Sequence, residues 1–233
     1  MAMVALTSHP ERTRGESRAL TLRRLLDVGR RAFARRGHAG TNLKDDILVP
    51  AGVSVGSFYH QFRDKTELFL EILREHSEMF RAMIHEAHRP NQTGTPSAVA
   101  RHSFATVFRV AEENDDLFRI MFRERESHDA RVRAYLRDNH RRWIDGLADD
   151  YQRGGLISAG DTDGAELAAE LVSALTAGTI QAYLDDSPAM RARRRDRLID
   201  GLVQFTLGGV PGLIAPARPR RAASATGRKR GGP

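Results

Sequence analysis

The stretch "VSVGSFYHQFRDKTEL", Val53 to Leu68, decides how the rest of the chain is read. Phe58 and Phe62 are four apart, which puts both rings on one side of a helix. Val55, Ser57, Tyr59 and His60 are left on or near the other side, and Gly56 lets a backbone approach closely. Ser54 stands where an N-cap belongs, its hydroxyl able to accept the N–H of Ser57. Asp64 and Glu67 have capping-box spacing, so a long helix should follow from about Lys65 to His88. Small side chains at the helix start, then hydrogen-bonding rings, suit entry into a nucleic-acid groove. Lys65 and the free N–H groups of the next helix start offer a second phosphate site. The competing reading is a plain helical hairpin with a polar surface.

Upstream, Gly52 in "PAGVS" supplies the permissive backbone that a tight turn needs. Before it, "NLKDDILV" pairs Leu43 with Ile47 on one face, with Thr41 as the expected cap. Pro50 removes a donor and restricts Val49, so this helix should end at about Leu48. Further upstream, "TLRRLLDVGRRAFARRG" places Leu22, Leu25, Leu26 and Phe33 together and leaves Arg23, Arg24, Arg30 and Arg31 largely off that face. Gly37 is a natural stop. Two short helices joined by a turn, behind a supporting helix, make a helix-turn-helix pattern.

Charge supports the groove reading. Residues 1–40 hold nine arginines against three acids, and residues 218–233 hold five arginines, one lysine and no acid. Each end therefore carries +6 of a total of +7, and the middle is near −5. Basic ends on a mildly acidic body point to a polyanionic partner. The 233 residues contain no cysteine, which excludes a disulfide framework and thiolate metal sites. No apolar run approaches the ~20 residues of a membrane span, and the first residues lack a signal-type apolar core. The expectation is a cytoplasmic protein with no membrane partner.

With these residues in place, "GTNLKDDILVPAGVSVGSFYHQFRDKTEL" resembles the DNA-binding domain of TetR-family transcriptional regulators. The resemblance runs over residues 20–75 and rests on the cap, the "AGVS" turn, the "Tyr-x-x-Phe" pattern and the start of the fourth helix. It implies double-stranded operator DNA as partner. Carried over by position, Thr41 should touch phosphate, Ser54, Val55, Gly56 and Ser57 should lie at the groove, and Tyr59, His60 and Lys65 should grip the backbone. Leu48 stands where that family usually has alanine.

The rest of the chain reads as helix without strand alternation, so the expected fold is all-α. Thr95-Pro96 opens a helix ending near Glu113. A short helix covers "DLFRIMFRER", and a long one runs from about Asp129 to Arg153. Asp163 and Glu166 repeat the capping-box spacing at the head of "GAELAAELVSALTAGTIQAYLDD", and Ser187-Pro188 begins the last helix. Four regions follow: a disordered basic segment 1–16, a helix-turn-helix domain 17–70, an effector-binding and dimerisation domain 71–213, and a disordered basic tail 214–233.

By the same resemblance, Leu167, Leu171, Val172, Leu175 and Ile180 should give one face of a homodimer and Leu198, Leu202 and Val203 the other. Phe104, Phe108, Phe118, Met121, Phe122, Trp143 and Tyr183 are candidates for an apolar ligand tunnel; each could equally be ordinary core. "RERES" at 123–127 resembles a motif of TetR regulators of fatty-acid metabolism. That likeness makes Arg123 and Arg125 candidates for the head group of a small hydrophobic effector, with acyl-CoA leading. Rival readings are a drug- or metabolite-responsive regulator and a nucleic-acid-binding helical protein without effector control. No catalytic motif stands out, no cofactor is implied, and His76, His85 and His88 read as surface histidines rather than a metal site.

Overall fold

The computed structural model describes residues 14–87 and 95–214. The basic tail, the first residues and His88 lie outside them. Among the described residues the fold is all-α, with no strand. Helix α1 is Arg14–Gly40, and α2 joins a π-helical turn, Leu43–Leu48, to an α-helical turn, Val49–Ala51. Helix α3 is Val55–Tyr59, α4 Lys65–Ala87 and α5 Pro96–Glu113. Helix α6 is Asp115–Arg123, extended by a 3₁₀ turn at Glu124–Glu126. Then come α7, Ala130–Arg153, α8, Thr162–Asp185, and α9, Pro188–Ile214.

Local chemistry sets most of these boundaries. Thr95 caps α5 through Ala98 N–H, with Pro96 in the first turn, and Asp129 caps α7 through Arg131 N–H. Gly37 breaks the α1 helix with φ +72°, and Gly52 ends α2 with φ +62°, both conformations that favour glycine. Two caps differ from expectation. Asn42, not Thr41, caps α2 by accepting Asp45 N–H, and Asp161, not Asp163, caps α8 by accepting Gly164 N–H. A third difference concerns Pro50: α2 continues through it to Ala51. The wide turn before it, closed by Val49 N–H on the Lys44 carbonyl, opens a new α-helical turn in which the missing proline N–H has no partner to lose.

Two main cores hold the chain. In the first, Leu25, Phe33, Ile47, Phe58, Phe62 and Phe69 from α1 to α4 pack with Leu117 and Ile120 of α6 and Val132 of α7. Hiding a phenylalanine such as Phe58 contributes about 1.5–3 kcal/mol. The N-terminal head is thus welded to the body rather than tethered to it. The second core joins α4, α5, α6, α8 and α9 around Phe108, Ile180, Tyr183, Leu184 and Leu202.

Candidate DNA-reading face and internal cavity

Helix α3 turns its phenylalanines inward and its polar residues out. Phe58 is fully buried and Phe62 nearly so, while Val55 is 52% and Tyr59 57% exposed. Gly56, Ser57 and His60 share the exposed side. Ser54 accepts Ser57 N–H at 3.1 Å, and the two hydroxyls meet at 2.8 Å. A Cβ on Gly56 would meet nothing within 4 Å, so the face is open. Exposed Arg23, Arg24, Arg31 and Arg35 on α1 belong to the same head.

Three sequence candidates sit differently from expectation. The reversal at Gly37 turns Thr41 inward: it is 2% exposed and its hydroxyl donates to the Gly37 carbonyl at 2.7 Å, so it presents nothing to a phosphate. Lys65 is half-buried and donates to the Thr41 carbonyl at 2.7 Å, which leaves two of its three donors for another acceptor. Burial lowers its pKa, offset by the nearby Glu124 and Asp46 carboxylates. Arg30 leaves the basic face altogether and meets Asp116 of α6 at 3.1 Å.

The join between head and body is a polar cluster that the sequence did not announce. Glu124, 6% exposed, accepts His38 N–H at 2.8 Å. Arg123 donates to the Ala34 carbonyl at 3.1 Å, and Asp129 accepts the Thr66 hydroxyl at 2.9 Å. The His38 ring meets Thr66 at 3.0 Å, and Arg131 meets Asp64 at 2.9 Å. Arg123 is therefore a junction residue and does not line the cavity. A Cβ on Gly37 would come within 3.1 Å of Glu124 Oε1, so any other residue there would push on this carboxylate as well as strain the φ of +72°.

Inside the body lies a cavity of about 910 Å³, within the range of small-molecule sites. Phe104, Phe118, Met121, Phe122, Arg125 and Trp143 line it; Phe108 and Tyr183 do not. Phe108 is core, and Tyr183 packs edge-on against it at 4.9 Å while its hydroxyl donates to Glu112. Trp143, the only tryptophan, stacks on Phe80 at 5.1 Å and donates to Ser173 at 3.1 Å. Arg125 lies 5.6 Å over Phe122. Arg125, Arg137 and His140 are exposed lining residues and so form one mouth of the cavity, Arg153 and Leu156 being exposed at another part of its rim.

His76 also lines the cavity and is 3% exposed, which overturns the surface reading. Helix α4 is packed by α1, α5, α6 and α7, and His76 lies on its packed side. His85 keeps a surface role beside Asp150 at 3.4 Å. Among the described residues no cluster of three or more His, Asp or Glu could hold a metal.

The dimer candidates divide. Leu167 and Leu171 are 57% and 63% exposed. Ile180, Leu202 and Val203 belong to the chain's own core and have almost no surface left for a partner. Val172, Leu175 and Leu198 are half-buried against that core. Helix α8 has the length and mean hydropathy, 1.2, of a membrane span, yet only 22% of that window is buried.

A helix-turn-helix head with an open reading face, fused to a helical body around an internal cavity, defines a DNA-binding transcriptional regulator. Residues 25–72, which form the helix-turn-helix head, match the family model of bacterial regulatory proteins, tetR family. The fold is similar to that of the fatty acid degradation regulator FadR from Bacillus halodurans, with TM-score 0.66 and 16% identity over 82% of this chain and 96% of that one. FadR from Bacillus subtilis, crystallised with stearoyl-CoA, gives TM-score 0.64 and 15% identity over 81% and 98%. PfmR from Thermus thermophilus gives TM-score 0.61 and 23% identity over 80% and 98%.

Proposed function

We propose that the chain is a homodimeric repressor whose operator affinity is released by a long apolar effector with an anionic head, a fatty acyl-CoA being the leading candidate. The observation that carries this reading is the 910 Å³ aromatic cavity with Arg125 and Arg137 at its mouth. The stearoyl-CoA bound by the Bacillus subtilis FadR of the same fold supports the ligand class. Residues 17–70 act as the reading head and 71–213 as the sensor, with the division inside α4. Two heads would read half-sites about 34–36 Å apart or somewhat more.

Coupling follows from the junction. Met121, Phe122 and Arg125 face the cavity, and Arg123 and Glu124 between them hold the end of α1. A ligand that moves the cavity residues moves the grip on α1, and with it the spacing of the heads. Differential affinity for the two arrangements is what shifts the population.

The test is a chain-length series of acyl-CoAs, read by melting temperature and operator release together. Melting should rise with chain length until the cavity is full, because the ligand binds the folded state and each further buried CH₂ adds at most about 0.8 kcal/mol. Arg125→Ala should weaken acyl-CoA more than a neutral alkyl analogue, and Arg123→Ala should change the response to ligand more than its affinity. Failure of every chain length to shift either readout removes the lipid-sensor reading. The head-group comparison separates it from a neutral drug or metabolite, which needs no arginine.

At the reading face, Tyr59→Ala should weaken all operators alike, by roughly 5-fold per head and so roughly 30-fold for the dimer, since a lost phosphate contact of about 1 kcal/mol at each half-site carries no sequence information. Ser57→Ala should instead alter preference at one or two base pairs. Binding-site selection with both variants at physiological salt checks this; unchanged affinity of Tyr59→Ala would rule out the docking.

A further inference from the structure

His76 is the polar group that the apolar cavity does not satisfy. Neither ring nitrogen has a hydrogen-bond partner, although the side chain is almost wholly buried. Phe80 stacks on the ring at 6.3 Å and Phe118 meets it edge-on at 5.6 Å, which fixes its orientation. Its polar neighbours in the wall are engaged with one another: Arg81 donates to Asn139 at 2.8 Å, and the hydroxyl of Tyr135, which packs beside them, to Ser77 at 3.2 Å. Thr206 Oγ1, from α9, also reaches the cavity unpartnered. A buried donor and acceptor without partners are costly, so an imidazole kept in such a wall needs a reason.

The character of the missing partner follows from the surroundings. Burial, with a smaller push from Arg30, holds the His76 pKa down to about 4, so the ring is neutral at pH 7, with one donor and one acceptor. A carboxylate beside it would be stripped of water, and the cations nearby are already engaged, Arg30 with Asp116 at 3.1 Å and Arg81 with Asn139 at 2.8 Å. A hydroxyl or carbonyl carries no such cost. A charged head belongs at the exposed mouth, by Arg125 and Arg137.

We infer that the cavity selects an apolar chain carrying one uncharged oxygen along its length, a hydroxyl or oxo substituent, and that His76 is the side chain that recognises it. This rests on reading the cavity as the effector site, and it narrows the ligand from any long acyl chain to an oxygenated one.

Trp143 fluorescence provides the readout, since the single tryptophan lines the cavity. The probes are dodecanoyl-CoA, its positional monohydroxy isomers, and the same chains as neutral dodecanol and dodecanediols. One or two hydroxyl positions should bind the wild-type protein about 5–10-fold more tightly than the unsubstituted chain. His76→Gln, which keeps a donor and an acceptor, should retain a preference. His76→Phe should lose it and hold the unsubstituted chain at least as well as wild type does. Equal binding of hydroxylated and plain chains, or a preference that survives in His76→Phe, overturns the inference while leaving the acyl-CoA reading intact if the thioesters bind. Diols that keep the positional preference when no thioester binds uphold the inference and overturn the acyl-CoA reading. Silence from every probe overturns both.

Discussion

Leu171→Asp, alone or with Leu167→Asp, is expected to convert a dimer into a monomer that has lost operator affinity by on the order of 100-fold or more. Helix α8 is largely apolar beyond Glu170, and only 22% of its most apolar window is buried in the single chain. Leu167 and Leu171 are the large apolar side chains that it leaves most exposed. Each would hide roughly half its surface against a partner, about 1 kcal/mol apiece, and a two-fold interface counts every such contact twice. A carboxylate at the same point adds the cost of burying an unpaired charge. Operator affinity falls with it because two half-sites need two linked heads. The measurement is sedimentation equilibrium beside operator titration, the wild type giving twice its monomer mass. A wild-type monomer with full operator affinity would exclude the paired-head arrangement. Ile180, Leu202 and Val203 are unsuitable for this test, since charges there would break the chain's own core.

Acid should destabilise the protein through His76. Its pKa in the folded chain is about 4, against 6.5 for the free side chain. Between those values the unfolded chain binds more protons, so stability is full above pH 6.5 and is lost as the pH falls towards 4. The total is about 3 kcal/mol by linkage. His38, lowered mainly by burial with Lys65 beside it, acts in the same direction. Urea unfolding at pH 7, 5 and 4 should show the midpoint falling for wild type and falling less for His76→Phe. Parallel decline of the two proteins would mean that another group carries the acid sensitivity.

The local grammar of the chain was legible in its residues because caps and stops act within one turn. Ser54 and Thr95 cap the helices expected of them, and Gly37 and Gly52 take the left-handed backbone that only glycine adopts easily. The inward Phe58 and Phe62 and the outward Tyr59 follow from helical spacing alone. Those features were enough to place the helix-turn-helix and to match its family. Which way a side chain faces between helices is a different matter, because it depends on neighbours far along the chain. Thr41 looked like a phosphate contact until the reversal at Gly37 turned it inward. Arg123 looked like a ligand contact, yet it reaches back to Ala34 on the first helix. His76 read as surface because a histidine on an amphipathic helix usually is; four packed helices around α4 bury it instead. The same physics divided the apolar residues of α8 and α9. Periodicity marks a residue as apolar and on a face, but only the packing of α8 against α7, and of α8 and α9 against α5 and each other, decides which face is core, which lines the cavity and which is left for another molecule.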